Sequence, residues 1–438
     1  MPGSRAGSPG SPGGWRSHRP RAGAPGDRAR PPGWLGPSSP PEHFARSGTG
    51  GTRSCTGDYA GQARRSRVSY RRAVKVTRLG IALVLLAAAC SPATGPANPS
   101  GGQPLPVAAA TLPPTPTPAP APRPLSLSSI FGSDKPDLSK FDPDQLRVLI
   151  ATGDVIPARE VNYKMVTHHD WLYPWRQTAD YLRAGDLLFI NLESPLIAGC
   201  PIIHGGFKFC GDAHAVAGLD YARVAVANIA NNHFTNFGPT AVNDTILLLA
   251  QHNIGVSGLG HWEIRDDRGI KFGFVGFNGV GTHIDRAEMK REIAIVRAQA
   301  DIVVAAFHWG KEYELVPMVG AGIAPDDPRE IGHLAIDDGA DLVIGNHPHW
   351  VQGVEIYHDK LITYAHGNFI FDQMWSQETR EGVVGRYTFY GTRLIRVDYR
   401  PVLISDYAQP SWLDGSQGEG QTILQRMERS SHLIAGIP

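Results

Sequence analysis

The sequence predicts an α/β fold, and three observations carry that prediction. From about Val148 onward, short apolar runs recur and end on Gly, Asn, Asp or His. The stretches between them show helical periodicity with helix-start and helix-stop residues. Strand and helix signals alternate rather than segregate, as βαβ architectures require. The 438 residues, 42% of them hydrophobic, are ample for one large domain or two smaller ones.

The N-terminal part is different. Residues 1–75 open with "MPGSRAGSPGSPGGWRSHRPRAGAPGDRARPPG", rich in Gly, Pro, Arg and Ser and nearly free of aliphatics. Such a stretch cannot bury enough apolar surface to offset its chain entropy. It reads either as a disordered basic arm or as a start site placed too far upstream. The next segment favours the second reading. "VTRLGIALVLLAAACSP" has a positive flank, a short apolar run and small residues before Cys90. Residues 76–90 therefore read as a secretory signal, too short to span as a stable helix. Signals sit at the N-terminus, so a true start at Val68, Val74 or Val76 is expected. Residues 91–146 are assigned to a linker. Its "SPATGPANPSGGQPLPVAAATLPPTPTPAPAPRP" is a semi-rigid tether without a core.

Residues 147–438 form the folded domain. Strands are expected in "VLIATGD", "LLFINLE", "VAVANIANNH", "FGFVGFN", "DIVVAAFHWG", "DLVIGNHPH" and "LITYAHGNFIFD". Continuous apolar runs of this kind suit strands buried on both faces. Between two of them, "DDPREIGHLAIDDG" reads as a helix. Asp327 is its N-cap, Pro328 its first residue, Glu330 the partner in a capping box, and Gly339 the stop. Ile331, Leu334 and Ala335 line one face. "PTAVNDTILLLAQHNIG" reads likewise, with Val242, Ile246 and Leu249 facing inward and Asn253 near the stop. Beyond Asp372, "RYTFYGTRLIRVDYRPVLI" alternates like two antiparallel edge strands, and "GQTILQRMERSSHLI" like a closing helix.

In open α/β sheets, ligands bind outside the carboxyl ends of the strands. Here strand after strand ends on a metal-competent side chain: Asp154, Glu193, Asn232, His308, His347 and His349. A lone histidine at a strand end is usually just hydrogen-bonded; a recurrence at successive ends points to a metal centre. Mixed His/Asn/carboxylate sets suit Mn, Fe or Zn more than Mg or Ca. His347 and His349 flank Pro348. If that segment is extended, residues two apart point the same way and both imidazoles converge.

Charge bounds the partners. Residues 1–90 hold 15 Lys+Arg against three acids, which leaves the remainder with 27 bases against 38 acids. An acidic body lacks the basic footprint that nucleic-acid binding needs. Weaker signals fail. "GVSGLG" around Ser257 has Leu259 where a nucleophile elbow needs glycine, and Gly276 and Gly279 complete no dinucleotide fingerprint. Trp171, Tyr173, Trp175 and Tyr181 read as packing. Lys311, Glu312 and Glu314 read as a solvated loop.

"GDV", "NLESPL", "ANNHFTNFG", "HWGKEY", "GADLVIGNHPHWVQGVE" and "YAHGNFIFDQ" occur in an order and spacing that resemble the CapA family. These are the poly-γ-glutamate capsule proteins, related to calcineurin-like metallophosphoesterases. The resemblance covers roughly Val148 to Asp372. It implies a four-layer α/β/β/α sandwich of the metallophosphoesterase type, with one or two divalent ions at one sheet edge. Asp154 then resembles a metal ligand, Glu193 the bridging position, and Asn232 a second-metal ligand. His308, His347 and His349 resemble the remaining ligands, and His233 the acid that serves the leaving group. Two metals would polarise the scissile group and activate water. In two places the pattern departs from phosphoesterases: Ile156 stands where a histidine is usual, and Glu193 is longer than aspartate. His366 stands where leucine is frequent, and is expected to point away from the metals.

The end of the signal resembles a bacterial lipobox, with Ala87 where leucine is usual. That implies cleavage before Cys90, lipidation of its thiol and a lipid-anchored protein on the outer side of the bacterial cell membrane. Cys200 and Cys210 remain as an even pair in an exported domain, where disulfides persist. A bridge is expected, with a zinc clip through His204 as the alternative. The function expected is an envelope-anchored metal-dependent hydrolase acting on an anionic polymer or a phosphoester, linked to poly-γ-glutamate synthesis or processing. The alternatives are a non-catalytic polymer-binding component of capsule assembly or export, and a secreted phosphoesterase or nucleotidase.

Overall fold

The computed structural model describes residue 121 and residues 123–437. The leader, the signal with Cys90 and most of the tether lie outside the described residues. Among the described residues, no helix is long and apolar enough to cross a membrane.

Two sheets form the centre. The first runs in the order Gln409–Trp412, Arg393–Ser405, Glu381–Tyr390, Leu146–Val155, Leu187–Leu192, Val224–Asn228, Gly255–Ser257. Asn368–Ile370 adds to the end of Leu146–Val155 in parallel. The second runs Val354–Tyr357, Lys360–Thr363, Leu342–Asn346, Ile302–His308, Ile270–Asn278, Trp262–Asp267. The central strands of both are parallel.

Strand periodicity shows how the layers stack. In Ile302–His308, the residues Ile302, Val304 and Ala306 enter a core shared with Phe189, Val226 and Leu149 of the other sheet. Their neighbours Val303, Ala305 and Phe307 enter a second core with Met289, Ile293, Ile331 and Ala335 from two helices. A third core on the outer face of the first sheet holds Ile150, Ile190 and Ala227 with Val161, Leu219 and Leu249. The result is helix, sheet, sheet, helix: the four-layer sandwich the motifs imply. Fully two-sided burial explains why these strands read as continuous apolar runs.

Several expectations change in detail. The tether does not extend to residue 146: Leu125, Ile130 and Phe141 are buried, and helix Leu127–Phe131 packs on the body. Helix Gly238–Gln251 buries Ala241, Thr245 and Leu249, while Val242 and Ile246 are half-buried. The face is set by the Thr245 hydroxyl, which accepts from the Leu196 N–H at 3.0 Å and donates to the Ala241 carbonyl at 2.7 Å. Hydropathy does not see such a bond. Asp327 caps its helix by accepting the Arg329 N–H at 2.9 Å, but Glu330 closes no capping box. It pairs instead with Arg286 of the adjoining helix, at 3.0 Å. The strands Glu381–Tyr390 and Arg393–Ser405 are antiparallel as expected but not edge strands. The first pairs with Leu146–Val155, and the second with Gln409–Trp412. Helix Gly418–Ile434 closes one side, its Ser430 and Ser431 hydroxyls accepting from the Gly353 and Val354 N–H groups.

Candidate metal centre

Strand register sets two polar rows opposite each other. In the first sheet Asn368, Asp154, Asn191, Asn228 and Ser257 are neighbours across consecutive strands. In the second, Asn278, His308 and Asn346 are neighbours in the same way. His308 and Asn346 continue the alternation that sends Val304, Ala306 and Ile344 between the sheets. Asn191 and Asn228 do the same for Phe189 and Val226. The inter-sheet core is thus apolar along its length and polar at its carboxyl-end rim.

The rows meet. Asn191 donates to an Asp154 carboxylate oxygen at 2.8 Å and accepts from the Asn228 amide at 3.0 Å. Asn231 donates to the Leu192 carbonyl at 2.9 Å and accepts the Phe234 N–H at 2.8 Å, which fixes the loop before His233. Gly276 of the opposite sheet gives Asn228 its room: a Cβ there would meet the Asn228 oxygen at 2.0 Å. His308 places Nε2 at 2.9 Å from Asn232 Oδ1 and 3.2 Å from Glu193. His349 Nδ1 lies 3.2 Å from Asp154 and 2.9 Å from Asn368.

Two groups have ligand atoms close enough to hold a metal ion: Asp154, Glu193 and His308, and Glu193, His347 and His349. Glu193 belongs to both, where the resemblance puts a bridging carboxylate. The residues fit a cation on a further ground. Both oxygens of Glu193 and both ring nitrogens of His347 are buried without a hydrogen-bond partner among the described residues. Leaving such groups unmatched is costly, and a divalent ion would satisfy them together.

His347 and His349 converge by a different route from the one expected. Their segment is not extended: φ is +98° at His347 and +56° at His349. The strand stops at Asn346, and the backbone turns through the left-handed region twice. Their rings stand 5.7 Å apart, and that of His347 is 4.8 Å from His308. Non-glycine residues held there are strained, as occurs at functional sites.

The electrostatics favour ligation at Glu193 and His347, while His349 must lose a proton to ligate. Burial pushes the Glu193 carboxyl up, but the His308 and His349 imidazoles outweigh it and hold it below its ordinary value. Burial, helped by His308 and His349, keeps His347 neutral, well below the usual histidine range. For His349, burial is overcome by Asp154 and Glu193, which raise it to about 9. At His233 burial dominates and lowers the pKa against the pull of Glu193.

His233 sits at the rim, half-buried. Its Nδ1 lies 3.1 Å from Asn236 Oδ1, which also accepts the Phe209 N–H at 2.9 Å. The Phe209 ring lies 4.0 Å from the imidazole. Cys200 and Cys210 are joined in a disulfide beside Phe209. His204 pairs with Glu160 instead of forming a zinc clip. Ile156 lies in a small apolar cluster with Ala158, Phe209 and Phe371. His366 meets the Tyr387 hydroxyl at 2.8 Å and joins neither metal-competent group. Lys311 pairs with Glu314 as a surface loop would, but Glu312 comes within 3.9 Å of His347 and Tyr313 stacks 6.2 Å from His349. The asparagine lattice of Asn191, Asn228 and Asn231 was legible only as polar strand ends. Its sequence signal is a repeated Asn directly after an apolar run.

Known proteins are similar to this chain. The family model described as "Bacterial capsule synthesis protein PGA_cap" matches residues 148–373. The chain is 25% identical over 285 residues to "Capsule biosynthesis protein CapA" of Bacillus anthracis, covering 58% of this chain and 66% of that protein. It is 28% identical over 229 residues to "PGA biosynthesis protein CapA" of Bacillus subtilis (strain 168), covering 47% and 58%. The match thus spans less than two thirds of either relative. Among solved structures, one described as a novel phosphatase of Mycoplasma pneumoniae aligns with a TM-score of 0.39 at 12% identity. It covers 59% of this chain and 94% of that one, a likeness too distant to bear on function.

Proposed function

Because the chain belongs to the bacterial capsule synthesis protein family PGA_cap, we propose that it is a metal-dependent hydrolase of the cell envelope, acting in poly-γ-glutamate synthesis or processing. One observation carries the reading: Glu193, fully buried and, its contact with His308 aside, without a hydrogen-bond partner among the described residues, is shared by two ligand groups. Asp154, Glu193 and His308 would hold one ion, and Glu193, His347 and His349 another, with Asn232 beside His308. Mn, Fe or Zn suit that donor set. Bound there, such ions supply Lewis-acid activation of water and of the scissile group.

The chain's own residues do the rest. Asn191 fixes the Asp154 carboxylate. The Asn231 loop places His233 at the rim. With Nδ1–H donating to Asn236, Nε2 of His233 is the nitrogen left to face the substrate: it accepts a proton there in the neutral ring that burial favours, and returns it to the leaving group as imidazolium. The substrate is an anionic polymer or a phosphoester. The test is metal analysis of the purified protein, coupled to assays of phosphodiester turnover and poly-γ-glutamate shortening. Absence of bound metal after reconstitution with Mn, Fe and Zn would sink the proposal.

A second reading, a polymer-holding component without turnover, is favoured by Ile156. An apolar side chain there removes one ligand that phosphoesterases usually have. Stoichiometric metal with tight polymer binding and no cleavage would select it. Anchoring through a lipidated Cys90 belongs to either reading. Cys90→Ser is expected to release the protein from membranes, and unchanged membrane retention would count against it.

A further inference from the structure

A polyanion is an awkward partner for a body with 27 bases against 38 acids over residues 91–438. The outer face of the first sheet offers a local exception. Along the strand Arg393–Ser405, Arg396, Asp398 and Arg400 share one face; on the adjacent strand Arg386 stands directly opposite Asp398. That face points outward, since Val384 and Val402 of the same set enter the outer core while Tyr387, Val397 and Tyr399 turn inward. Lys135 reaches the same place from the N-terminal segment.

The charges do not cancel. Asp398 already takes Lys135 at 2.7 Å and Arg396 at 2.7 Å. Arg386 and Arg400 form no ion pair among the described residues. Four cations thus surround Asp398, with Asp137 also within electrostatic reach of Arg396. Arg400 is held in place by aromatic rings, its guanidinium 4.6 Å from the Tyr181 ring centre and 4.5 Å from that of Trp412. Those rings are 4.9 Å apart, edge to face. Stacking of this kind fixes the plane of the guanidinium while leaving its edge to accept a carboxylate in two parallel hydrogen bonds. A depression of about 460 Å³ opens beside it, lined by Arg400, Pro401, Trp412, Leu413 and Asp414. Asp414 is engaged by Ser416 and Gln417, each at 2.7 Å.

We propose that Arg386, Arg396 and Arg400, with Lys135, form a docking surface for a polycarboxylate chain, separate from the metal centre. This deepens the capsule-polymer reading and rests on it. Diagonal neighbours on paired strands are roughly 7–8 Å apart. A polymer with one carboxylate per monomer can therefore engage two arginines at once, and linked contacts bind more tightly than single ones. The surface gives an acidic protein a grip on an acidic polymer.

The test uses full-length, metal-loaded protein and poly-γ-glutamate of defined length at low salt. Arg386→Gln with Arg400→Gln is expected to weaken binding by about tenfold, the order of two exposed charge contacts, and to flatten its salt dependence. Metal content and turnover of a small phosphodiester should not change. Arg386→Lys with Arg400→Lys should restore part of the affinity. If the double variant misfolds, Arg386→Gln alone leaves the stacking of Arg400 on Tyr181 and Trp412 in place and should still weaken binding about threefold. Unchanged polymer affinity in a folded variant overturns the proposal. So does retained polymer binding with lost binding to phosphatidylglycerol vesicles, which would make this a membrane-facing surface. Polymer binding that depends on these arginines without any cleavage upholds the surface and removes the hydrolase reading.

Discussion

Nε2 of His308 stands 3.2 Å from Glu193, although the two residues belong to the carboxyl ends of different sheets. The contact crosses the apolar core at its rim, so it reports directly on how the sandwich closes. It also gathers a carboxylate and an imidazole into a space where, that ion-pair contact aside, neither oxygen of Glu193 has a hydrogen-bond partner among the described residues.

Glu193→Gln is expected to lower metal affinity at least tenfold, about 1.4 kcal/mol. The metal-stripped variant should melt lower than metal-stripped wild type, because the Glu193 charge is held by His308 and His349 and removing one partner of a buried pair is destabilising. Elemental analysis and calorimetry check both halves. Full metal occupancy in the variant would show that Glu193 is not the shared ligand.

His347→Gly separates ligation from folding. Glycine accepts φ of +98° without the strain of about 1–3 kcal/mol that a side chain carries in such regions. Metal content should fall, while the melting temperature of the stripped protein should hold or rise. A stripped variant that melts several degrees lower would mean that the imidazole supports the fold.

His233→Gln should cut turnover about a hundredfold, the usual scale of a lost acid, with metal content kept. Its ring is held by Phe209 and Asn236 rather than by the ligand groups. Parallel loss of metal and turnover would reassign it as a ligand-orienting residue.

Cys200→Ser with Cys210→Ser opens a loop with a sequence separation of 10. The chain-entropy relation puts the loss near 3 kcal/mol. Phe209 lies next to Cys210, so turnover should fall as well, with metal retained. Denaturant midpoints and steady-state rates measure the two effects. A midpoint equal to wild type would show that the bridge contributes nothing.

His366 gives the chain a pH dependence unrelated to catalysis. Burial holds its pKa down to about 3, against about 6.5 in the unfolded chain. Below about 6.5 the unfolded state takes up a proton that the folded state refuses. Stability is therefore lost as pH falls from about 6.5 to about 3, and is level above that window with respect to this group. His366→Phe should remove one proton from the slope, read from denaturant midpoints at successive pH values. An unchanged slope would mean that His366 is protonated in the fold.

Particular residues show how far the sequence reaches. The runs ending at Asp154, Glu193, His308 and Asn346 announced two-sided strands, because burial on both faces leaves only the strand end free to be polar. Asp327 and Pro328 marked a helix start, because those groups act within one turn. What depended on distant partners was hidden. Glu330 left its capping box for Arg286 of another helix. Thr245 rotated its helix to reach Leu196. Glu381–Tyr390 looked like an edge strand until Leu146–Val155 was placed beside it.

Legible along the chain were the α/β class, the order of strands and helices, and the strand-end residues from which the candidate centre is built. These come from hydropathy period and local chemistry, which act over a few residues. Long-range packing selects which of those ends meet. It made Glu193 common to both ligand groups and let Gly276 admit Asn228. It also turned the backbone at His347 and His349 through positive φ, where the sequence suggested an extended pair. The reason is that register between strands and the packing of one sheet on the other are set by contacts far apart in the chain, and no local pattern encodes them.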